Sequence, residues 1–334
     1  MTSATTPDER WRLGYQPHLD GMRAIAVGLV FLHHLAVLPG GGVGVTVFFV
    51  LSGFLITSLL LRERESTGKV RLKAFYLRRG RRLLPALAVV MAAVFAGMAL
   101  VGDAGGIGPL FVITALYLGN YAEAGGANLG ALGHTWSLAI EEQFYLVWPL
   151  LMLGLVRFPR RWILGGLLVI AGSIMAARMW TALTGPLDAA MYPTQLRADA
   201  LLLGCALALV PLSPPRWVVG IGVVGLLASL ALPAPLGVGV AAIATVPLIA
   251  RRIPALEWKP VVYVGMISYG VYLWHFPVIY ALRPYGLLWL AIPLTLVLAS
   301  LSYHLWEKRF LRRSHPARRP SLRRPARAPT VSAS

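Results

Sequence analysis

Apolar residues along the 334-residue chain fall in long blocks, with polar and basic residues gathered between the blocks and at both ends. Blocks such as Leu83–Val101, Trp136–Val156 and Trp162–Ala182 reach the roughly 20 residues that a helix needs to cross the hydrocarbon core of a bilayer. A transmembrane barrel would instead alternate apolar and polar residues over segments of about ten, and that pattern is absent. The blocks predict an all-α fold, a polytopic transmembrane helix bundle of about ten spans, at 20–38, 42–61, 83–101, 136–156, 162–182, 197–212, 216–232, 235–250, 261–282 and 286–306. The run 105–122, with about 16 apolar residues, is short for a crossing and reads as a re-entrant or interfacial segment.

Charge supports this count. The basic clusters Arg62–Arg82 and Lys308–Arg327, together with Arg157, Arg160, Arg161, Arg251, Arg252 and Lys259, all fall on one side if there are ten crossings and a cytoplasmic N-terminus; eleven crossings break the pattern. The expected domains are a cytoplasmic segment 1–18, a transmembrane domain 19–307 and a basic cytoplasmic tail 308–334, too poor in apolar residues to form a core. The first apolar block lacks a small-residue cleavage site and reads as a retained helix.

Composition excludes other classes. The chain is 57% hydrophobic and only 13% charged, against about 25% charged in ordinary soluble domains. The net charge of +18 sits beside the apolar blocks and not on an aromatic and basic surface, so it predicts membrane lipids as partners and no nucleic acid. The single cysteine, Cys205, lies in an apolar block, which leaves neither a disulfide framework nor a Cys-based metal site. No metal and no permanently bound cofactor is expected.

Ionisable groups within spans are costly and mark candidate sites. Arg23 and His34 are eleven residues apart, about three helical turns, so they share a face of the first helix roughly 16 Å apart; His33 points away from it. The same residues would also serve as a positive-inside anchor and an interhelical hydrogen-bonding group. In His134-Thr-Trp-Ser-Leu-Ala-Ile-Glu-Glu-Gln-Phe-Tyr145, the residues His134, Ser137, Glu141 and Tyr145 follow one helical face, and Glu142 leaves it. Capping by Ser137 and a favourable helix dipole at Glu141 would explain part of that pattern. Arg197 and Asp199 open another span as a potential structural pair. Phe75-Tyr-Leu-Arg-Arg-Gly-Arg-Arg82 places Arg78, Arg79, Arg81 and Arg82 together, a set suited to phosphates or to lipid headgroups alike.

Taken in order, these motifs resemble the acyltransferase 3 family of bacterial membrane acyltransferases, whose members modify surface glycans, nodulation factors and macrolide antibiotics. Arg23 and His34 within Leu19-Asp-Gly-Met-Arg-Ala-Ile-Ala-Val27 and beyond look like its Arg-x10-His signature, and Gly44-Val-Thr-Val-Phe-Phe-Val-Leu-Ser-Gly-Phe54 is similar to its second helix. Arg78/Arg81 and Arg79/Arg82 offer its Arg-x-x-Arg pattern in two registers. Trp136 to Tyr145 matches Trp-Ser-Leu-x-x-Glu-x-Gln-Phe-Tyr, with Glu141 as the carboxylate, and Ile267-Ser-Tyr-Gly-Val-Tyr-Leu-Trp-His-Phe-Pro277 looks like the late-helix motif. The resemblance covers about residues 16–311 and departs at Arg309, where the family pattern has proline. No counterpart follows of the extracytoplasmic hydrolase-like domain that some glycan-modifying members carry; stand-alone members include antibiotic acyltransferases, so the acceptor stays open.

The resemblance implies a multi-pass enzyme of the bacterial inner membrane that moves an acyl group, expected to be acetyl, from acyl-CoA to a hydroxyl of a carbohydrate or macrolide-type acceptor. In this reading His34 is the general base, Glu141 orients its imidazole, and Ser137 holds a substrate oxygen or carries the acyl group. Arg23 lies between the base and the carrier site, where Arg78, Arg79, Arg81 and Arg82 hold coenzyme A phosphates. A transporter or flippase of an anionic lipid-linked sugar would also use buried His, Arg and Glu, but such proteins commonly show internal repeats, and none is found here. An interaction-only scaffold would not need these polar faces. The acyl chain and the oligomeric state stay open.

Overall fold

The computed structural model describes residues 15–100 and 107–308. Of the expected terminal segments 1–18 and 308–334, residues 1–14 and 309–334, with Arg309, lie outside the described residues. Among the described residues the regular structure is entirely helical.

Every predicted span contains helix. In chain order these are α1 (Pro17–His34), α2 (Val43–Thr67), α3 (Leu72–Leu100), the short α4 (Ile107–Ala115) and α5 (Gly119–Ala124), α6 (Trp136–Leu155) and α7 (Arg160–Thr184). They continue with α8 (Leu187–Met191), α9 (Thr194–Ala208), α10 (Arg216–Ser229), α11 (Ala234–Ala250), α12 (Lys259–Met266), α13 (Ser268–Leu282) and α14 (Ala291–Leu301), which runs on as a π-helical turn, Ser302–Glu307.

Length separates these helices into two groups. Five continuous stretches are long and apolar enough to cross a bilayer: Pro39–Thr67, Leu72–Leu100, Gly130–Leu155, Arg160–Thr184 and Leu288–Leu305. A sixth forms if α12 and α13, bent by 71° at their junction, act as one span. Helices α9, α10 and α11 have 15, 14 and 17 residues. At about 1.5 Å per residue they fall short of a roughly 30 Å core, so among the described residues length and composition alone carry five crossings, or six with the bent pair. The expected short segment 105–122 is broken in its described part: α4 and α5 have nine and six residues, and Tyr117 turns the chain between them at φ 54°.

The expected basic loop Arg62–Arg82 is corrected to a helical hairpin. The alternating Arg62-Glu63-Arg64-Glu65 run is strongly helix-forming and carries α2 onward to Thr67. Gly68, at φ 73°, closes that helix by donating its N–H to the Arg64 carbonyl, and α3 resumes at Leu72. Arg78, Arg79, Arg81 and Arg82 therefore sit within α3, ahead of its apolar part.

The centre of the bundle is α2. Its most apolar window is 78% buried, against 22% for α7 and 17% for the last span, whose side chains face outward. Small residues allow the central crossing. A Cβ on Gly53 would come within 1.9 Å of the Leu201 carbonyl oxygen, and one on Gly204 within 2.0 Å of that of Val50. Only glycine permits α2 and α9 to approach this closely. Near one end of this seam, Arg178 of α7 donates to Asp199 of α9 at 2.7 Å, both side chains 1% exposed. Arg197, which was expected to pair with Asp199, instead points to Thr46 and lies against the rings of Phe49 and Trp136.

Candidate active site

Successive residues of a helix point about 100° apart, so the run Glu141-Glu142-Gln143 on α6 sends three polar groups to three different neighbours. Glu141 accepts a hydrogen bond from Ser52 on α2. Glu142 receives Arg79 of α3, with Nη2 2.5 Å from Oε1 and Nε 3.2 Å from both carboxylate oxygens. Gln143 donates to the Tyr117 carbonyl and to Asn120, and its own oxygen accepts from Thr194 of α9 at 2.5 Å. This third contact fixes the broken α4–α5 segment against the bundle.

Glu141, Glu142, Arg23, Arg79, Arg82 and Ser137 line one cavity, which reaches the basic part of α3. The Arg79 guanidinium lies 3.2 Å above the Tyr145 ring, a cation–π contact that adds to its ion pair. Arg79 is thus built into the cavity wall. Arg82 also lines the cavity and is exposed, as is Arg81, whereas Arg78 pairs with Glu63 at 3.6 Å. Arg23 faces the cavity from α1, 3.9 Å from Asp20 one turn back.

At Ser137 and Tyr272, the cavity meets a layer of hydroxyls and imidazoles. The Tyr272 hydroxyl of α13 lies 2.8 Å from the His134 carbonyl oxygen, which can only accept, so Tyr272 is the donor there. The hydroxyl of Ser137, 2.5 Å away, then donates to the Tyr272 oxygen. With its hydrogen committed, Ser137 presents lone pairs to the cavity: it can accept from a substrate hydroxyl but has no hydrogen left for an oxyanion. Beyond Tyr272, the rings of His34, His134 and His275 converge, with His275 5.0 Å from His34 and 5.3 Å from His134 between ring centres. Nδ1 of His34 is 3.1 Å from Nε2 of His275. No group of three His, Cys, Asp or Glu side chains among the described residues is placed to hold a metal ion.

The structure therefore brings Arg23, Ser137, Glu141, Arg79 and Arg82 together around one cavity, and sets His34 in the adjoining imidazole layer. His34 and Glu141 have different partners, His275 and Ser52, so the expected direct pairing of the two is replaced by two separate contacts. His33 packs over the Pro39–Gly42 turn, where a Cβ on Gly42 would lie 3.5 Å from its Nε2. Three polar residues of the site, Ser52, Tyr272 and His275, carried no expected role. Each stood inside a motif quoted above, but the contacts that reveal them join residues 89, 135 and 241 positions apart.

A bundle of apolar helices enclosing a carboxylate, arginines and clustered imidazoles is a multi-pass membrane protein with an internal polar site. The chain belongs to the Acyl_transf_3 family, an acyltransferase domain whose model matches residues 17–304. It is 34% identical to the peptidoglycan O-acetyltransferase OatA of Listeria monocytogenes, over 89% of this chain and 56% of that protein. A Staphylococcus aureus strain MSSA476 protein named as a candidate O-acetyltransferase is 33% identical over 90% of this chain and 58% of its own. YrhL of Bacillus subtilis, named as a candidate peptidoglycan O-acetyltransferase, is 33% identical over 88% and 54%. The chain thus spans a little over half the length of these relatives. No solved structure matches it.

Proposed function

We propose that this protein is an O-acetyltransferase of the bacterial cytoplasmic membrane that moves an acetyl group from acetyl-CoA to a hydroxyl of a cell-wall glycan. The observation that carries the reading is the contact between the two parts of the site: Ser137 and Tyr272 wall the arginine-lined cavity, and Tyr272 is hydrogen-bonded to both the His134 carbonyl and His275 of the imidazole layer. The family match supplies the reaction class, and the names of the relatives favour a glycan acceptor over a macrolide. Residues 19–307 form the catalytic membrane domain. Ten crossings, with the basic hairpin and both termini in the cytoplasm, satisfy the distribution of arginines between the helices.

Binding and chemistry divide along the site. Arg81 and Arg82, exposed within α3, hold phosphates of the carrier together with Arg78, while Arg79, fixed by Glu142 and Tyr145, shapes the passage for the thioester arm. Arg23 and the Ser52-bound Glu141 form the polar floor of that passage. Ser137 accepts from a neighbouring hydroxyl of the acceptor, which leaves the hydrogen of the reacting hydroxyl for the base. His34 takes the proton from that hydroxyl as its oxygen attacks the thioester carbonyl; the carbon–sulfur bond breaks, and the leaving thiolate receives the proton. The products are the acetyl ester and coenzyme A.

Purified full-length protein in lipid nanodiscs, supplied with acetyl-CoA and a muropeptide disaccharide, tests the reading. Release of free thiol matched by O-acetylated disaccharide is expected. Failure to consume acetyl-CoA, with the disaccharide carried across proteoliposome membranes unchanged, would replace the enzyme with a transporter.

A further inference from the structure

The hydrogen-bond partners of His275 determine where the protons sit around His34. Nδ1 of His275 lies 2.6 Å from the backbone carbonyl oxygen of Tyr272, and a carbonyl oxygen only accepts, so this nitrogen carries the hydrogen. In the neutral ring Nε2 is then a lone-pair acceptor, and its partner at 3.1 Å is Nδ1 of His34. The hydrogen in that contact belongs to His34. Neutral His34 is left with an unprotonated Nε2.

From this chain of contacts we propose that His275 is the positioning residue of His34, selecting the tautomer whose Nε2 can accept a proton. The inference rests on the reading of His34 as the base. His275 does the work that the sequence alone assigned to Glu141, and the surroundings explain why an imidazole suits the place. The side chain is 0% exposed and packs against Phe31, His134 and Phe276, with ring centres 5.5, 5.3 and 6.2 Å away. A carboxylate there would be a buried anion, costly in an apolar layer, whereas a neutral imidazole orients its partner without one. Once His34 holds the acceptor's proton, the same contact becomes a charge-assisted hydrogen bond from the imidazolium to His275, whose own Nδ1–H goes on donating to the Tyr272 carbonyl.

Two variants and one spectrum test the pairing. His275→Leu removes the acceptor and should lower kcat about 10–100-fold, the usual worth of a partner that orients a functional histidine. KM for acetyl-CoA and for the disaccharide should hold. His275→Gln, whose amide oxygen can stand in for Nε2, should recover most of that loss. Nitrogen-15 spectra of histidine-labelled protein, with His34 assigned by its absence in His34→Ala, should show Nδ1 protonated and Nε2 bare, and the Nδ1 signal should move in His275→Leu. A His34 protonated on Nε2, or a His275→Leu enzyme with wild-type kcat beside an inactive His34→Ala, overturns the pairing. Wild-type turnover by His34→Ala would instead remove the base reading, while the spectrum still decides the contact by itself.

Discussion

The two polar regions of this membrane protein are built from opposite materials. At the basic end, charges meet charges: Arg79 is clamped between Glu142 and the Tyr145 ring, Arg78 pairs with Glu63, and Arg81 and Arg82 stand exposed beside the cavity mouth. Some distance along the bundle, neutral donors and acceptors connect Ser137, Tyr272, His275 and His34 with no ion pair between them. Formal charge is tolerable near the membrane surface and suited to an anionic carrier. At the end of α1 and just before α6, half-buried and buried imidazoles can gain and lose a proton without a standing charge to stabilise. In the proposed reading the first region holds the carrier and the second transfers the proton.

That contrast can be broken at either side. The largest effect belongs to the imidazole layer: His34→Ala should reduce turnover by about 10²–10⁴-fold, the range of a lost general base, with coenzyme A release and acetylated product falling together. Next comes the scaffold beneath both regions. Arg178→Met leaves Asp199 buried and unpaired, which should cost on the order of 3–5 kcal/mol and appear as a lowered thermal midpoint in detergent; replacing both by leucine and methionine should restore most of it. In the charged region, the Arg81→Ala, Arg82→Ala double variant should raise the apparent KM for acetyl-CoA about tenfold and leave kcat nearly unchanged, as expected for contacts remote from the reacting carbon. Tyr272→Phe should have a smaller effect. It removes the hydroxyl shared by Ser137 and the His134 carbonyl, worth about 1 kcal/mol or a several-fold loss in kcat. His33→Ala, at a ring that packs over the Pro39–Gly42 turn and lies edge-on to His34, should keep near-wild-type turnover and mark the floor of the series.

Much of this architecture was legible in the order of apolar and polar residues, and the misses have specific causes. Each span read from hydropathy contains helix, because burial in lipid and burial in protein draw on the same side chains, whereas the short α8 lies outside those spans. Hydropathy could not see the break at Ile267. Gly265 sits so close to Asp20 that a Cβ would meet its carbonyl oxygen at 1.8 Å, and α12 and α13 diverge by 71° just beyond that contact. It also misplaced the start of α3, because Arg78 to Arg82 are good helix formers that extend a span beyond its apolar part. Helical periodicity points Glu141 and Glu142 to different neighbours, and they have different partners, although both line the same cavity. It had no means of assigning those partners or that of His34, since Ser52, Arg79 and His275 come from other helices. Arg197 and Asp199 show the same limit: two residues apart in sequence, they point to different neighbours once α9 is packed.

The division of labour between the two regions is tested most directly by the equilibrium affinity for coenzyme A itself, measured calorimetrically on nanodisc-embedded wild type, His34→Ala and the Arg81→Ala, Arg82→Ala double variant. Wild-type affinity is expected for His34→Ala, and binding about tenfold weaker for the arginine double variant. Loss of coenzyme A binding in His34→Ala, or full affinity in the double variant, would contradict the assignment of holding to the charged end and proton transfer to the imidazoles.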